Sequence, residues 1–266
     1  MEGLYLYCIR RRIDTPFSFF RKGIDEKYEV TTFACRDLEA VISKVPLEEF
    51  DSEEIQIKAQ NDMKWLREKA VIHEQVIEEA MRSEEEILPL IPMKFGTIFK
   101  EEKGLRENID EHYEQFRTIL EKLQGKQEWN IKVYLTNKKK LEEVIKGTEA
   151  IKEKEKEIAS MPEGMAYFME EELKELLGKE IDRELKKTSE VLFERFEKIA
   201  EEVVEGKILD QALTQREHMV LNTSYLVKKE RIEDFKVEAV WVKQEIEAKG
   251  FTLEHSGPWP PYNFIS

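Results

Sequence analysis

From Leu173 to Val203, apolar side chains recur at Leu173, Leu177, Ile181, Leu185, Leu192, Phe196, Ile199 and Val203, spaced by three, four and once by seven positions. That period is the period of one face of an α-helix, so the spacing predicts a long helix from Ala166 to Val204 with a single apolar stripe. A helix cannot bury such a stripe against itself, and it must lie on another helix or on a sheet. No polar groups converge on the stripe, which makes a packing face the stronger reading and a cofactor-lining face the weaker one. The segment before it, Lys138 to about Ile158, is a highly charged helix with Leu141, Ile145, Thr148 and Ile151 on one side, and Met161, Pro162 and Gly164 interrupt it. A helical hairpin is one expected arrangement.

The remaining segments read as a mixed α and β chain. Leu4 to Ile9 and Tyr28 to Cys35 are short runs rich in aromatic and β-branched residues, with Pro16 and Gly23 between them, and both predict strands. Asp37 is a potential N-cap for a helix carrying Leu38, Val41, Ile42 and Val45, stopped by Pro46. An amphipathic helix is expected from Ala59 to Met81, with Met63, Leu66, Ala70, Ile77 and Ala80 on one face. LPLIPMKFGTIFK follows as an extended segment bent at Gly96, and a further helix from Gly104 to Leu123 stops at Gly125. Trp129 to Leu135 restarts the pattern as a strand, followed by the long helices, a weak strand near Leu209 to Leu213, a strand Met219 to Val227, a helix Glu230 to Lys249 and a strand Phe251 to His255. That order is the split βαβ order of a ferredoxin-like domain. The expected fold class is therefore α+β: an N-terminal mixed α+β domain over 1–125, a C-terminal ferredoxin-like domain over 126–257 with a long helical insertion at about 138–205, and an extended tail over 258–266.

Charge narrows the function. With 57 acidic against 43 basic residues and a formal charge of -14, the surface is ill suited to the phosphate backbone of nucleic acid or to an anionic membrane face. No uncharged apolar run approaches the roughly 20 residues that a membrane helix needs. The amino-terminal apolar stretch precedes Arg10, Arg11 and Arg12, the reverse of a secretory signal. A cytoplasmic protein is expected, with Cys8 and Cys35 as buried free thiols.

Catalytic candidates lack partners. His73 has no second histidine at the helical spacing of a zinc site and reads as a surface or boundary residue; His112 and His218 are equally solitary, and His255 falls on an exposed or edge strand. Acidic runs such as Glu84 to Glu86 and Glu170 to Glu172 read as solvated faces. The sequence contains no nucleophile elbow, Walker A loop or dinucleotide fingerprint. No enzyme, metal or cofactor is expected. Two segments stand out as candidate partner-binding sites. Lys94 and Phe95 lie in a cluster of large apolar residues, and the tail carries Trp259, Pro260, Tyr262 and Phe264. Proline lowers the entropy lost on docking while aromatics supply contact area. Such a tail either packs on its own chain, as a lid over a groove or sheet edge, or joins a partner surface.

These segments carry a resemblance. LYLYCI, DMKWLREKAVIHEQVI, IPMKFGTIF, EWNIKVY, MVLNTSYLV and SGPWPPYNF, in that order along nearly the whole chain, resemble the gas vesicle protein F/L family (GvpF/GvpL). IPMKFGTIF is similar to the family's proline, basic residue, Phe-Gly-Thr signature, and the DMKWL, LQGKQEWN and GPWPPY wording resembles the L branch more than the F branch. The resemblance implies an accessory protein of gas vesicle assembly, located in the cytoplasm and at the gas vesicle, whose partners are the small hydrophobic shell protein (GvpA-type) and other accessory proteins. It implies no catalytic residues. A chaperone or nucleation role, and retention as a minor vesicle component, fit an apolar shell subunit that must be kept dispersed. The alternatives are a helical scaffold that links accessory proteins without touching the shell protein, and an enzyme of unknown type.

Overall fold

The computed structural model describes residues 1–13, 18–50, 52–83, 87–208 and 218–265. They form two units, Met1–Gln127 with Pro258–Ser266, and Glu128–Gly257. Each has its own sheet.

In the first unit the order is β1 (Glu2–Arg11), β2 (Val30–Cys35), β3 (Leu38–Pro46), α1 (Leu47–Phe50), α2 (Ser52–Asn61), α3 (Met63–Met81), β4 (Leu90–Pro92), β5 (Ile98–Phe99), α4 (Glu102–Glu111) and α5 (Tyr113–Leu123). The sheet runs β2-β3-β1-β4, with β5 also paired to β1. Strand β1 is buried from Gly3 to Arg10, which is why LYLYCI is apolar on consecutive rather than alternate positions. Arg10 is carried into this core by the ladder register: it lies opposite Glu39, and its Nε donates to Glu39 Oε1 at 2.8 Å. Its Nη1 donates to the Ala80 carbonyl at the end of α3.

The segment read as an Asp37-capped helix is strand β3. Residues Leu38 to Ser43 are all buried, so nearly every position is apolar and a helical subset can be picked out of a doubly covered strand. The turn decides the matter. Cys35 pairs with Leu38 across Arg36 and Asp37, with Arg36 at φ +56°, closing a tight hairpin. Asp37 caps nothing; its carboxylate accepts from Tyr113 on α5 at 2.5 Å. The amphipathic helix begins earlier than read and is broken at Asp62, whose side chain caps α3 by accepting from Trp65 N at 2.9 Å. Likewise the Gly104 to Leu123 helix is two helices, α4 and α5, that meet at His112.

The second unit contains β6 (Lys126–Leu135, beginning two residues before the unit boundary), α6 (Lys138–Lys146), α7 (Glu149–Ala159), α8 (Glu163–Glu197), β7 (Glu202–Glu205), β8 (His218–Lys228), α9 (Ile232–Glu247) and β9 (Phe251–Trp259). Its sheet order is β7-β8-β6-β9. One core joins Trp129, Ile131, Val133 and Leu135 of β6 to Phe196 of α8, Tyr225 of β8 and Phe235 of α9. The last three rings meet with centroids 5.1 to 5.7 Å apart. The Leu173 to Ile199 stripe packs on this core and is therefore not a free scaffold surface. Val203 is an exception to the helical reading: α8 ends at Glu197 and Val203 pairs with Tyr225 in β7. The helix read from Lys138 to Ile158 is divided at Gly147 and Thr148 into α6 and α7. Strand β9 extends past His255 to Trp259. The expected strand near Leu209 to Leu213 and the acidic run Glu84 to Glu86 lie outside the described residues. Arg195 ties α8 to α9, its Nε donating to Glu238 at 2.6 Å and Nη1 to Glu245 at 2.7 Å.

Candidate partner-binding site

The IPMKFGTIF segment is a strand, a turn and a strand. The Lys94 carbonyl accepts from Thr97 N at 3.2 Å and from Thr97 Oγ1 at 2.7 Å, closing a four-residue turn. Gly96 occupies its third position at φ +84°, where a side chain adds about 1–2 kcal/mol of strain. The turn separates its two middle side chains from one another in environment. Lys94 is exposed, while Phe95 is half-buried, edge-on to Tyr5, His73 and Trp65.

A chain of hydrogen bonds fastens the turn to the sheet and to α3. His73 Nε2 lies 3.2 Å from the Met93 carbonyl, which only accepts, so Nε2 carries the proton. Nδ1 then accepts from the Tyr5 hydroxyl at 3.0 Å, and that hydroxyl in turn accepts from Gly96 N at 2.9 Å. Burial drives the His73 pKa down to about 4, so the neutral ring this network needs is the stable form at neutral pH. Tyr7 stacks on the same imidazole at 5.8 Å. A β-bulge between Leu6 and Cys8 makes Tyr7 the extra residue, and Tyr5, Tyr7 and Cys8 share one core with Val76 and Ile77 of α3. Burial pushes the Cys8 thiol up to about 12, well away from reactivity.

The tail meets α3 one residue further along. The Tyr262 hydroxyl donates to Glu74 Oε2 at 2.9 Å. Burial raises the Glu74 pKa, and the Tyr262 hydrogen bond opposes that rise. Tyr262 is itself pushed far up, by burial first and by the Glu74 carboxylate second. Pro260 and Pro261 are buried and Phe264 is 1% exposed, so these residues anchor the tail. Trp259 and Tyr262 remain 38% exposed each.

Of the six residues singled out from the sequence, Lys94, Trp259 and Tyr262 thus reach the surface, Phe95 is divided between core and surface, and Pro260 and Phe264 face inward. His73, read as a surface or boundary residue, is buried at 4% exposure and organises the turn. Its position gave a signal: it falls three residues after Ala70 and four before Ile77, on the apolar stripe of α3. His255 is exposed on β9, an edge strand of its sheet. Both cysteines are free and buried. Among the described residues, no group of three or more His, Cys, Asp or Glu side chains is placed to hold a metal, and no helix is long and apolar enough to cross a membrane.

Two antiparallel sheets with helices packed on them, a clamped surface turn and a docked aromatic tail define a mixed α+β protein. The chain belongs to the gas vesicle synthesis protein GvpL/GvpF family, whose model matches residues 3–266. It is 26% identical to gas vesicle protein L of Streptomyces sp. (strain CB03234) over 98% of this chain and 91% of that protein. It is 22% identical to gas vesicle protein F1 of Halobacterium salinarum, over 99% and 93% of the two chains. The fold matches the crystal structure of GvpF from Anabaena sp. PCC7120 with a TM-score of 0.70 at 18% identity, covering 100% of this chain and 97% of that one.

Proposed function

We propose that this chain serves gas vesicle formation as a non-catalytic accessory protein that binds the apolar shell subunit, of GvpA type, and keeps it dispersed until it is added to the wall. The observation that carries this reading is the exposed aromatic pair Trp259 and Tyr262 on an anchored tail, whose Tyr262 binds Glu74, the α3 residue next to the His73 that clamps the Lys94–Thr97 turn. Half-exposed aromatics on a segment already held in place lose little entropy on binding, the property of an interface anchor. A shell subunit that walls off gas from water needs an apolar face, and that face aggregates unless covered. The location implied is the cytoplasm and the growing vesicle. We also read the second unit as ferredoxin-like, with α6 to α8 as its long helical insertion; the strand order β7-β8-β6-β9 supports this.

Capture of co-expressed shell protein tests the proposal. Trp259→Ala and Tyr262→Ala, each still folded by thermal melting, should retain about tenfold less shell protein than the parent chain. Undiminished capture by both variants would remove the tail from the interface. A scaffold that joins accessory proteins is the second reading, favoured by Val237, Val240 and Trp241 exposed together on α9. Loss of accessory-protein capture in Trp241→Ala, with shell capture intact, would favour it.

A further inference from the structure

The N-terminal turns of α8 differ from the rest of that helix. Among the described residues of α8, Ile181 is the first that is buried, and Met165, Tyr167 and Phe168 stand 59%, 62% and 72% exposed. Ordinary helix amphipathicity does not require this. The stripe of Leu173 and Leu177 already covers the core, and Ala166 and Met169 continue it as half-buried positions. Phe168 points away from this stripe, and Met165, four residues before Met169, stands at the stripe's exposed margin; the two are three residues apart, so they sit one above the other. Glu172 follows Phe168 by four residues and Glu175 by seven, which puts both carboxylates on the same face, beginning one helical turn of about 5.4 Å beyond the ring. Glu171 flanks them, and its carboxylate is bound to Lys174 at 2.7 Å. Between 163 and 175, glutamates occupy 163, 170, 171, 172 and 175 against the single basic residue Lys174.

We propose that this end of α8 is a docking surface for a basic amphipathic segment of a partner protein, whose apolar residues cover Met165 and Phe168 while lysines or arginines one turn away meet Glu172 and Glu175. Charge selects the occupant. A second copy of the same face would bring two acidic stripes together, and like charges in register are repelled. Nucleic acid and anionic lipid are repelled for the same reason. A purely apolar partner would leave the carboxylates desolvated without a counter-charge, which is costly. The proposal is independent of the tail, which belongs to the other unit.

The test uses the full chain and a labelled helical peptide built from leucine on one face and lysine on the other, followed by fluorescence anisotropy. Binding should weaken about tenfold in Phe168→Ala combined with Met165→Ala, and comparably in Glu171→Gln, Glu172→Gln, Glu175→Gln. The exposed glutamates 107, 111 and 114 of α4 and α5 provide the control: their replacement by glutamine should leave binding within about twofold. Equal losses in the control would show attraction to net charge alone and overturn the proposal, as would unchanged binding in the Phe168 and Met165 variant. Dimerisation of the parent chain that Phe168→Ala abolishes, seen by sedimentation velocity, would overturn it in favour of a second copy. All of these positions are exposed, so thermal melting should show parent-like stability in each variant.

Discussion

At the scale of single residues, His73 is the most informative position, because its chemistry fixes a sign for the response to pH. The unfolded ring titrates near its ordinary 6.5, whereas the folded ring is held down to about 4. Between these values the unfolded chain binds a proton that the folded chain refuses. The stabilisation is therefore complete above pH 6.5 and drains away as pH falls towards 4, amounting to about 3 kcal/mol. Urea unfolding at about pH 7.5 and about pH 4.5 checks this: His73→Gln should be less stable than the parent at the higher value and lose less on acidification. Equal acid losses in the two proteins would assign the effect to other groups. The buried pair of Arg10 and Glu39 is the other demanding residue contact, since removal of one partner strands the other charge in the core. Neither role is spelled out by the sequence. Arg10 reads as part of a basic cluster with Arg11 and Arg12, and only the register of β1 on β3 distinguishes it.

Among the elements, one close approach lies where β9 runs beside β6. Gly257 sits at φ +143°, and a Cβ there would lie 2.9 Å from both the Glu128 carbonyl and the Trp129 ring. Neither neighbour is the loose end of a flexible side chain. Gly257→Ala should cost more than about 2 kcal/mol and shift the emission of Trp129; a variant as stable as the parent, with unchanged emission, would mean that the strand yields without cost. Legibility at this scale followed the kind of burial. Elements with one wet face, such as α3, were readable from period, whereas β8, buried without a break from Thr223 to Val227, was readable only from its β-branched and aromatic residues. The β3 strand was not, because burial on both sides erases the period and the deciding feature is the two-residue turn at Arg36 and Asp37. The α8 terminus was misjudged for a related reason: Ile199 and Val203 are apolar because they meet the same core, whether from helix, loop or strand. Glu205 and its neighbours in β7 gave no stronger strand signal than that.

For the whole molecule, the motifs carried more than the periods did. Six short segments in order pointed to the family, while the pairing of strands across long intervals could only be seen in three dimensions. One such pairing concerns the tail, which returns to the unit built from residues 1–127. A chain ending after Trp259 should therefore exchange amide hydrogens faster in α3 around Glu74, with β8 in the second unit unaffected, as hydrogen exchange with mass spectrometry would show. Equal acceleration in both regions would indicate general destabilisation.

The same return path sets a timetable for synthesis. Some 130 residues of the second unit leave the ribosome after α3 is complete and before Tyr262 exists. At about 5–20 residues per second this is an interval on the order of ten seconds in which Glu74 has no phenol to meet. The nascent protein thus passes through a stage with its first sheet formed and its last seal missing, and whatever binds that open face in the meantime competes with the chain's own end.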